Sequence, residues 1–228
     1  MDFKSPLISG CLICGSKTNH ELFCKECDKF ALTVERRCPR CGAFTLDPSK
    51  PDCFSCRGKK VYFDEIFSLF IYSGPIAAAI SKMKYGKIES YATVLGVFLA
   101  KNIPVEVAKE RKVVFPPMNF SRKFLRSFNQ AEIIADKVAQ TLKLDFERTL
   151  LKKIKKTTPQ VQLTYEEREK NLKNAFKLTK DVKNGSFLIV DDVCTTFSTI
   201  NTIAKLLKEN GAKSVNGATV ARRSSFFL

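Results

Sequence analysis

Followed for its alternation of apolar and polar positions, the chain of 228 residues changes character near residue 60. Up to that point apolar residues are thin and follow no period. Beyond it, short apolar runs alternate with helical repeats. Val61 to Tyr72 (VYFDEIFSLFIY) is rich in β-branched and aromatic residues and predicts a strand or hairpin arm. Gly74-Pro75 interrupts it, and Pro75 opens a helix running to about Lys84, with a second helix over Glu89 to Asn102 ahead of Pro104. Lys112 to Phe115 reads as a short buried strand stopped by Pro116-Pro117. Gln130 to Leu142 places Ala131, Ile134, Ala135, Val138 and Leu142 on one helical face, with Asn129 as N-cap. Thr149 to Ile154 is a further strand candidate, and the basic stretch from Lys155 to Asn174 has helical signals but little to bury. Ser186 to Val190 (SFLIV) is the continuous apolar run of a central parallel strand. A helix over Thr199 to Asn210 carries Ile200, Ile203, Ala204 and Leu207 on one face. Gly211 ends it, and Ser214 to Ala221 returns as a strand. Strands alternating with helices predict an α/β domain over residues 61–228, with a mostly parallel sheet and flanking helices.

Residues 1–60 hold eight of the nine cysteines. They form four CxxC pairs: Cys11/Cys14, Cys24/Cys27, Cys38/Cys41 and Cys53/Cys56. A two-residue spacer lets both thiolates of a turn face one metal, and tetrahedral zinc takes two such turns. Gly15 and Gly42 follow their pairs where a knuckle needs positive φ. Disulfides are the alternative, disfavoured because paired CxxC units mark metal sites in a reducing compartment. Eight ligands suit two structural sites, or one with surplus cysteines, and the spacing leaves open which pairs share an ion. His20, the sole histidine, reads as a loop residue. A segment this poor in aliphatic residues needs metal to fold, so a small Cys-rich zinc-binding domain is expected here.

Lys and Arg number 39 against 23 Asp and Glu, a net charge of +16. That excess points to a polyanionic partner: nucleic acid, an anionic membrane surface or a phosphorylated ligand. With 44% hydrophobic residues and 19 Phe, a disordered chain is excluded. No segment offers the roughly 20 apolar residues of a spanning helix, so no transmembrane segment and a cytoplasmic location are expected.

The segment with most chemistry is FLIVDDVCTTFST, Phe187 to Thr199. A buried strand leads to Asp191 and Asp192, followed by Val193, Cys194, Thr195, Thr196, Phe197, Ser198 and Thr199 and then a helix. Ligands of open parallel sheets bind at the carboxyl ends of strands, and helix N-termini bind phosphate. Carboxylates accept bonds from ribose hydroxyls or hold Mg²⁺ water. Acids before a hydroxyl-rich loop therefore describe a ribose-5-phosphate site. Cys194 has no general base beside it in sequence and reads as a small filler.

This segment resembles the 5-phosphoribosyl-1-pyrophosphate (PRPP) motif of type I phosphoribosyltransferases. The resemblance implies that Asp191 and Asp192 hold the ribose hydroxyls, that residues 195–199 wrap the 5-phosphate, and that Mg²⁺ accompanies PRPP. Phe197 stands where that family usually has Gly, so a crowded loop and weaker or shifted binding are expected. Three further segments, FIYSGPIAAAISKMKYG, VVFPPMNFSRKFLRSFNQAEIIA and TTPQVQLTYEEREKNLKNAF, join the CxxC pairs in the same order as in the ComF family of competence proteins. Over essentially the whole chain the sequence is similar to that family. The likeness implies a pyrophosphate loop at Pro116 to Asn119, including Pro117 and Met118. It implies ligand contacts from Arg122 and Arg126, where Ser127 replaces a usual Gly, and a mobile loop around Gln160 to Phe176.

The family resemblance further implies a role in natural transformation, handling internalised single-stranded DNA together with other competence or DNA-translocation proteins, and recruitment to the inner face of the membrane. Arg122, Lys123, Arg126, Lys152, Lys153, Lys155 and Lys156 are the candidate nucleic-acid contacts, with Arg222 and Arg223 adding charge near the C-terminus. Two other readings stand beside this one: an active phosphoribosyltransferase of unknown acceptor, and a PRPP-responsive regulator. No base-recognising set is evident, so the transferase ranks second.

Overall fold

The computed structural model describes residues 10–18, 22–31, 33–118, 127–155, 172 and 174–223. Its centre is a four-stranded parallel sheet in the order β1-β6-β5-β2. The strands are β1 (Glu65–Ile71), β2 (Lys112–Val114), β5 (Ser186–Cys194) and β6 (Ser214–Arg222). The apolar run expected to end at Val190 continues as strand through Asp191 and Asp192 to Cys194, because β6 keeps pairing with it as far as Cys194↔Arg222. The acids thus stand on the sheet itself. A two-stranded antiparallel ribbon, β3 (Leu151–Lys153) with β4 (Phe176–Leu178), lies beside the sheet. Its second strand has no apolar run to announce it.

Alternation along the strands splits the core into two faces. Leu188 and Val190 of β5 join Ala218 and Val220 against α2 (Gly74–Tyr85), α3 (Glu89–Asn102) and α5 (Gln130–Leu142), a layer that also buries Cys11 and Leu12. Phe187 and Ile189 face the other way. There they meet α6 (Ser198–Glu209), the β3–β4 ribbon and Cys38, Cys41, Cys53 and Cys56. Two single-turn helices, α1 (Lys25–Asp28) and α4 (Val105–Ala108), complete the described secondary structure. As expected, the Asn129 side chain caps α5, accepting from Ala131 N at 3.2 Å.

Both sheet edges are covered, which blunts their tendency to pair with other chains. Along β1, Val34 N donates to Leu69 O (2.9 Å), Ile66 N donates to Arg40 O (3.0 Å), and Thr33 bridges Phe70 antiparallel. The Arg37 guanidinium lies 4.6 Å over the Phe67 ring. Gly42 (φ +66) is the point of closest approach, since a Cβ there would sit 2.3 Å from Ile66 O. On the β2 edge, Phe146 forms a parallel bridge with Val113. Asn201 of α6 ties down the segment entering β1: its amide donates to Lys60 O and its carbonyl accepts from Tyr62 N.

Gly96 lets α3 and α5 cross closely, a Cβ there falling 2.9 Å from Ile134 O. Helix propensity alone favours replacing a mid-helix glycine. Gly96→Val is nevertheless expected to destabilise by about 1–3 kcal/mol through overpacking, read as a lowered urea midpoint at unchanged m-value.

Candidate functional site

The pleat sends Asp191 and Asp192 to opposite faces of β5, and each meets a lysine from the element covering that face. Asp192, 9% exposed, forms an ion pair of 2.8 Å with Lys84 at the end of α2. Asp191 is partly buried on the ribbon side, where Lys153 of β3 contributes favourable charge. Burial, then the neighbouring Asp192 carboxylate, pushes the Asp191 pKa up to about 7, against opposing pulls from the Asp192 backbone N–H, Lys84 and Lys153. That N–H donates to Asp191 Oδ1 at 2.8 Å.

The loop after β5 turns at Phe197, whose φ of +53 is the left-handed conformation a glycine adopts freely. Phe197 thus takes the left-handed backbone with a side chain in place. The ring, 2% exposed, packs edge-on to Phe63 at 5.6 Å. Anchoring in the core therefore offsets the roughly 1–2 kcal/mol that an L-residue costs in this region. Ser127, the other position where glycine was expected, likewise has φ +68. Thr196 Oγ1 and Ser198 Oγ lie 2.9 Å apart as α6 begins, where backbone N–H groups and the helix dipole favour an anion.

A cleft of about 710 Å³ gathers these groups. Every residue from Asp191 to Thr199 lines it, as do Pro116, Pro117 and Met118 across the sheet edge. Arg122, Lys123, Arg126 and Lys156 lie outside the described residues, as do His20, Asn119 and most of the proposed mobile loop. Lys153, expected among nucleic-acid contacts, lines the cleft instead, while Lys152 and Lys155 are exposed. Arg223 also lines the cleft. Arg222, counted with the basic charge near the C-terminus, is corrected outright: it is 1% exposed and points into the core.

Lys84, Tyr85 and Gln130 also line the cleft, and the sequence assigns them no role in the site. Gln130, 1% exposed, has a buried amide nitrogen with no hydrogen-bond partner among the described residues. Only its place on the first turn of a helix facing the Pro116 loop would have singled it out.

The eight CxxC cysteines form two groups of four, Cys11/Cys14/Cys24/Cys27 and Cys38/Cys41/Cys53/Cys56, with all sulfurs of a group within 4.8 Å of one another. Neighbouring pairs share a group, which settles the pairing the spacing left open. Tetrahedral zinc with Zn–S near 2.3 Å requires sulfurs about 3.8 Å apart. The pairs Cys14/Cys24, Cys38/Cys56 and Cys41/Cys53 lie at 3.7, 3.7 and 3.6 Å. Both groups fit zinc, and four thiolates each would leave no open coordination position. The second group is fully buried, the first partly exposed.

Arg222 joins this second group to the loop. Its Nη1 donates to the carbonyls of Cys194 (2.9 Å) and Thr195, and its Nη2 lies 3.9 Å from Cys41 Sγ. Burial works against its charge, but the sulfurs of Cys194 and Cys41 more than offset this and hold the guanidinium firmly cationic. Cys194 itself is buried, and that burial is the main cause pushing its thiol up, which disfavours the reactive thiolate.

Two outcomes follow from this geometry. Metal analysis of purified protein should give two zinc per chain, falling to one in Cys41→Ser/Cys53→Ser. Between pH 4 and 7 the folded chain retains a proton on Asp191 that the unfolded chain, with its ordinary carboxyl, has lost. Without ligand, stability therefore falls as pH rises through that window and levels off above about 7. In Asp191→Asn, thermal melts should show that component of the slope removed.

The site's setting recurs in known proteins. Residues 129–225, which span Gln130, the Asp191–Thr199 segment and Arg222, match the phosphoribosyl transferase domain family. The chain is 29% identical over 202 residues to the DNA utilization protein YhgH of Salmonella typhimurium, covering 86% of this chain and 88% of that one. It is 26% identical to competence protein F of Haemophilus influenzae, covering 81% and 84%, and 28% identical to competence protein ComFC of Streptococcus pneumoniae, covering 93% and 99%. Among solved structures, the allosteric regulatory enzyme of purine biosynthesis aligns at TM-score 0.39 and 20% identity, covering 56% of this chain and only 25% of that longer one. A hypoxanthine phosphoribosyltransferase from Staphylococcus aureus aligns at TM-score 0.34 and 14% identity, covering 62% and 69%. With a match to the phosphoribosyl transferase domain family behind paired-cysteine groups, the chain is similar along most of its length to competence proteins.

Proposed function

We propose that this protein binds PRPP with Mg²⁺ in the cleft at the carboxyl edge of its sheet and handles single-stranded DNA during natural transformation. The observation that carries the first part is the convergence on one cleft of the Asp191-Asp192 pair, the hydroxyl loop at the start of α6 and the Pro116–Met118 loop. The acids suit ribose hydroxyls or metal-bound water, and the start of α6 suits the 5-phosphate. The unpartnered Gln130 amide donor suits an oxygen acceptor on the same ligand. When bound, Mg²⁺ would neutralise pyrophosphate charge. Lys84 would have to share or release Asp192 as the ligand enters. The division into a zinc-bearing segment, residues 1–60, and a phosphoribosyltransferase-like segment, residues 61–228, belongs to this reading.

The DNA part rests on the +16 charge, the exposed Lys152 and Lys155 and the names borne by the relatives. Phosphate contacts by such lysines give sequence-independent, salt-sensitive binding. Cytoplasmic placement fits the absence, among the described residues, of a helix long and apolar enough to cross a membrane.

Calorimetry of zinc-loaded protein with Mg²⁺-PRPP should show binding that tightens roughly tenfold from pH 6 to pH 8 as Asp191 ionises near 7. Asp191→Asn/Asp192→Asn should lose it. Anisotropy of a labelled single-stranded oligonucleotide should report a Kd on the order of micromolar at low salt, weakening steeply as salt rises and altered by Mg²⁺-PRPP. PRPP binding without any DNA binding at low salt would sink the DNA part and leave a transferase or a PRPP-responsive regulator.

A further inference from the structure

We propose that Arg222 couples the second cysteine group to the phosphate loop, so that metal at Cys38/Cys41/Cys53/Cys56 and ligand at residues 195–199 strengthen each other's binding. The inference rests on the reading that this loop takes the ligand's phosphate.

A guanidinium buried to 1% exposure needs a counter-charge close by. Among the described residues no carboxylate pairs with Arg222. The cysteine group supplies an anionic candidate in direct contact, with Cys41 Sγ 3.9 Å from Nη2. Four thiolates around one zinc dication carry a net charge of about −2, in a group whose members are all buried. From that position Arg222 aims its other nitrogen at the carbonyls of Cys194 and Thr195, where strand becomes loop. Its guanidinium carbon also stands 5.7 Å from the centroid of the Phe197 ring, the side chain that anchors the loop's left-handed turn. One cation thus links the metal group to both fixed points of the loop.

Loss of the metal removes the net negative centre beside Arg222 and frees Cys41 from its fixed place against Nη2. The guanidinium then has reason to move, and the two carbonyls and the turn lose their common support. The converse follows by linkage: a phosphate ligand that fixes the loop also holds Arg222 against Cys41 and retains the metal. The first cysteine group, Cys11/Cys14/Cys24/Cys27, packs on the other face of the sheet and has no such link among the described residues. It serves as an internal control. Arg222 is a positioning residue in this scheme, acting through the loop.

The test starts from the wild-type chain and adds two variants. Zinc-loaded protein is challenged with a colorimetric chelator, with and without saturating Mg²⁺-PRPP, and Cys14→Ser identifies the release phase of the first group. PRPP should slow release from the second group roughly fivefold or more and leave the first unchanged. In Arg222→Lys, which keeps the charge but not the two-sided fork, zinc content should stay at two per chain while the PRPP effect on release disappears and PRPP affinity drops at least severalfold. Calorimetry separates the failures. If PRPP binds the wild type but leaves the second phase unchanged, or slows both phases equally as general stabilisation would, the coupling is overturned and the cleft reading stands. If PRPP does not bind at all, both are overturned.

Discussion

The parallel ladder between β5 and β6 is the constraint on which the other features depend. It runs from Ser186↔Ser214 to Cys194↔Arg222 and includes Asp191↔Thr219 and Val193↔Ala221 on either side of Asp192. Because both lie within β5, Asp191 and Asp192 inherit the two-sidedness of a strand. One carboxylate is assigned to the helical layer and Lys84, the other to the ribbon layer and Lys153. The last rung sets Arg222 beside Cys194, so the strand that supports the acids also delivers the cation that supports the loop.

Burying charge at the end of a sheet is costly, and the arrangement shows how the cost is distributed. Asp192 is compensated by an ion pair, Asp191 by partial protonation near neutrality, and Arg222 by sulfur and carbonyl partners. Strained or polar features elsewhere follow the same logic. Phe197 accepts an unfavourable φ because its ring gains a place in the core, and Asn201 spends both ends of its amide on the backbone entering β1.

Much of this was legible in the chain. The α/β alternation, the N-cap at Asn129 and the extents of α3 and α5 follow from period and capping, and the cleft segment follows from acids and hydroxyls at a strand-to-helix turn. What escaped did so for physical reasons. The strand status of Asp191 to Cys194 depends on pairing with a neighbour distant in sequence, which local polarity conceals. The partnership of adjacent CxxC pairs is a matter of chain path, on which spacing is silent. Arg222 reads as surface charge because arginine is rarely buried, and only the presence of thiols from residues 38–56 in the same core makes the position tenable.

The way residues 33–40 lie along β1 reaches beyond the site. Seven residues of apolar edge strand, Glu65–Ile71, are kept from other chains by a segment whose own shape depends on thiolate chemistry. Oxidation or loss of metal at the second group would therefore unmask a template for strand addition. The cysteine group that shapes residues 33–40 thus also bears on how well the β1 edge stays covered.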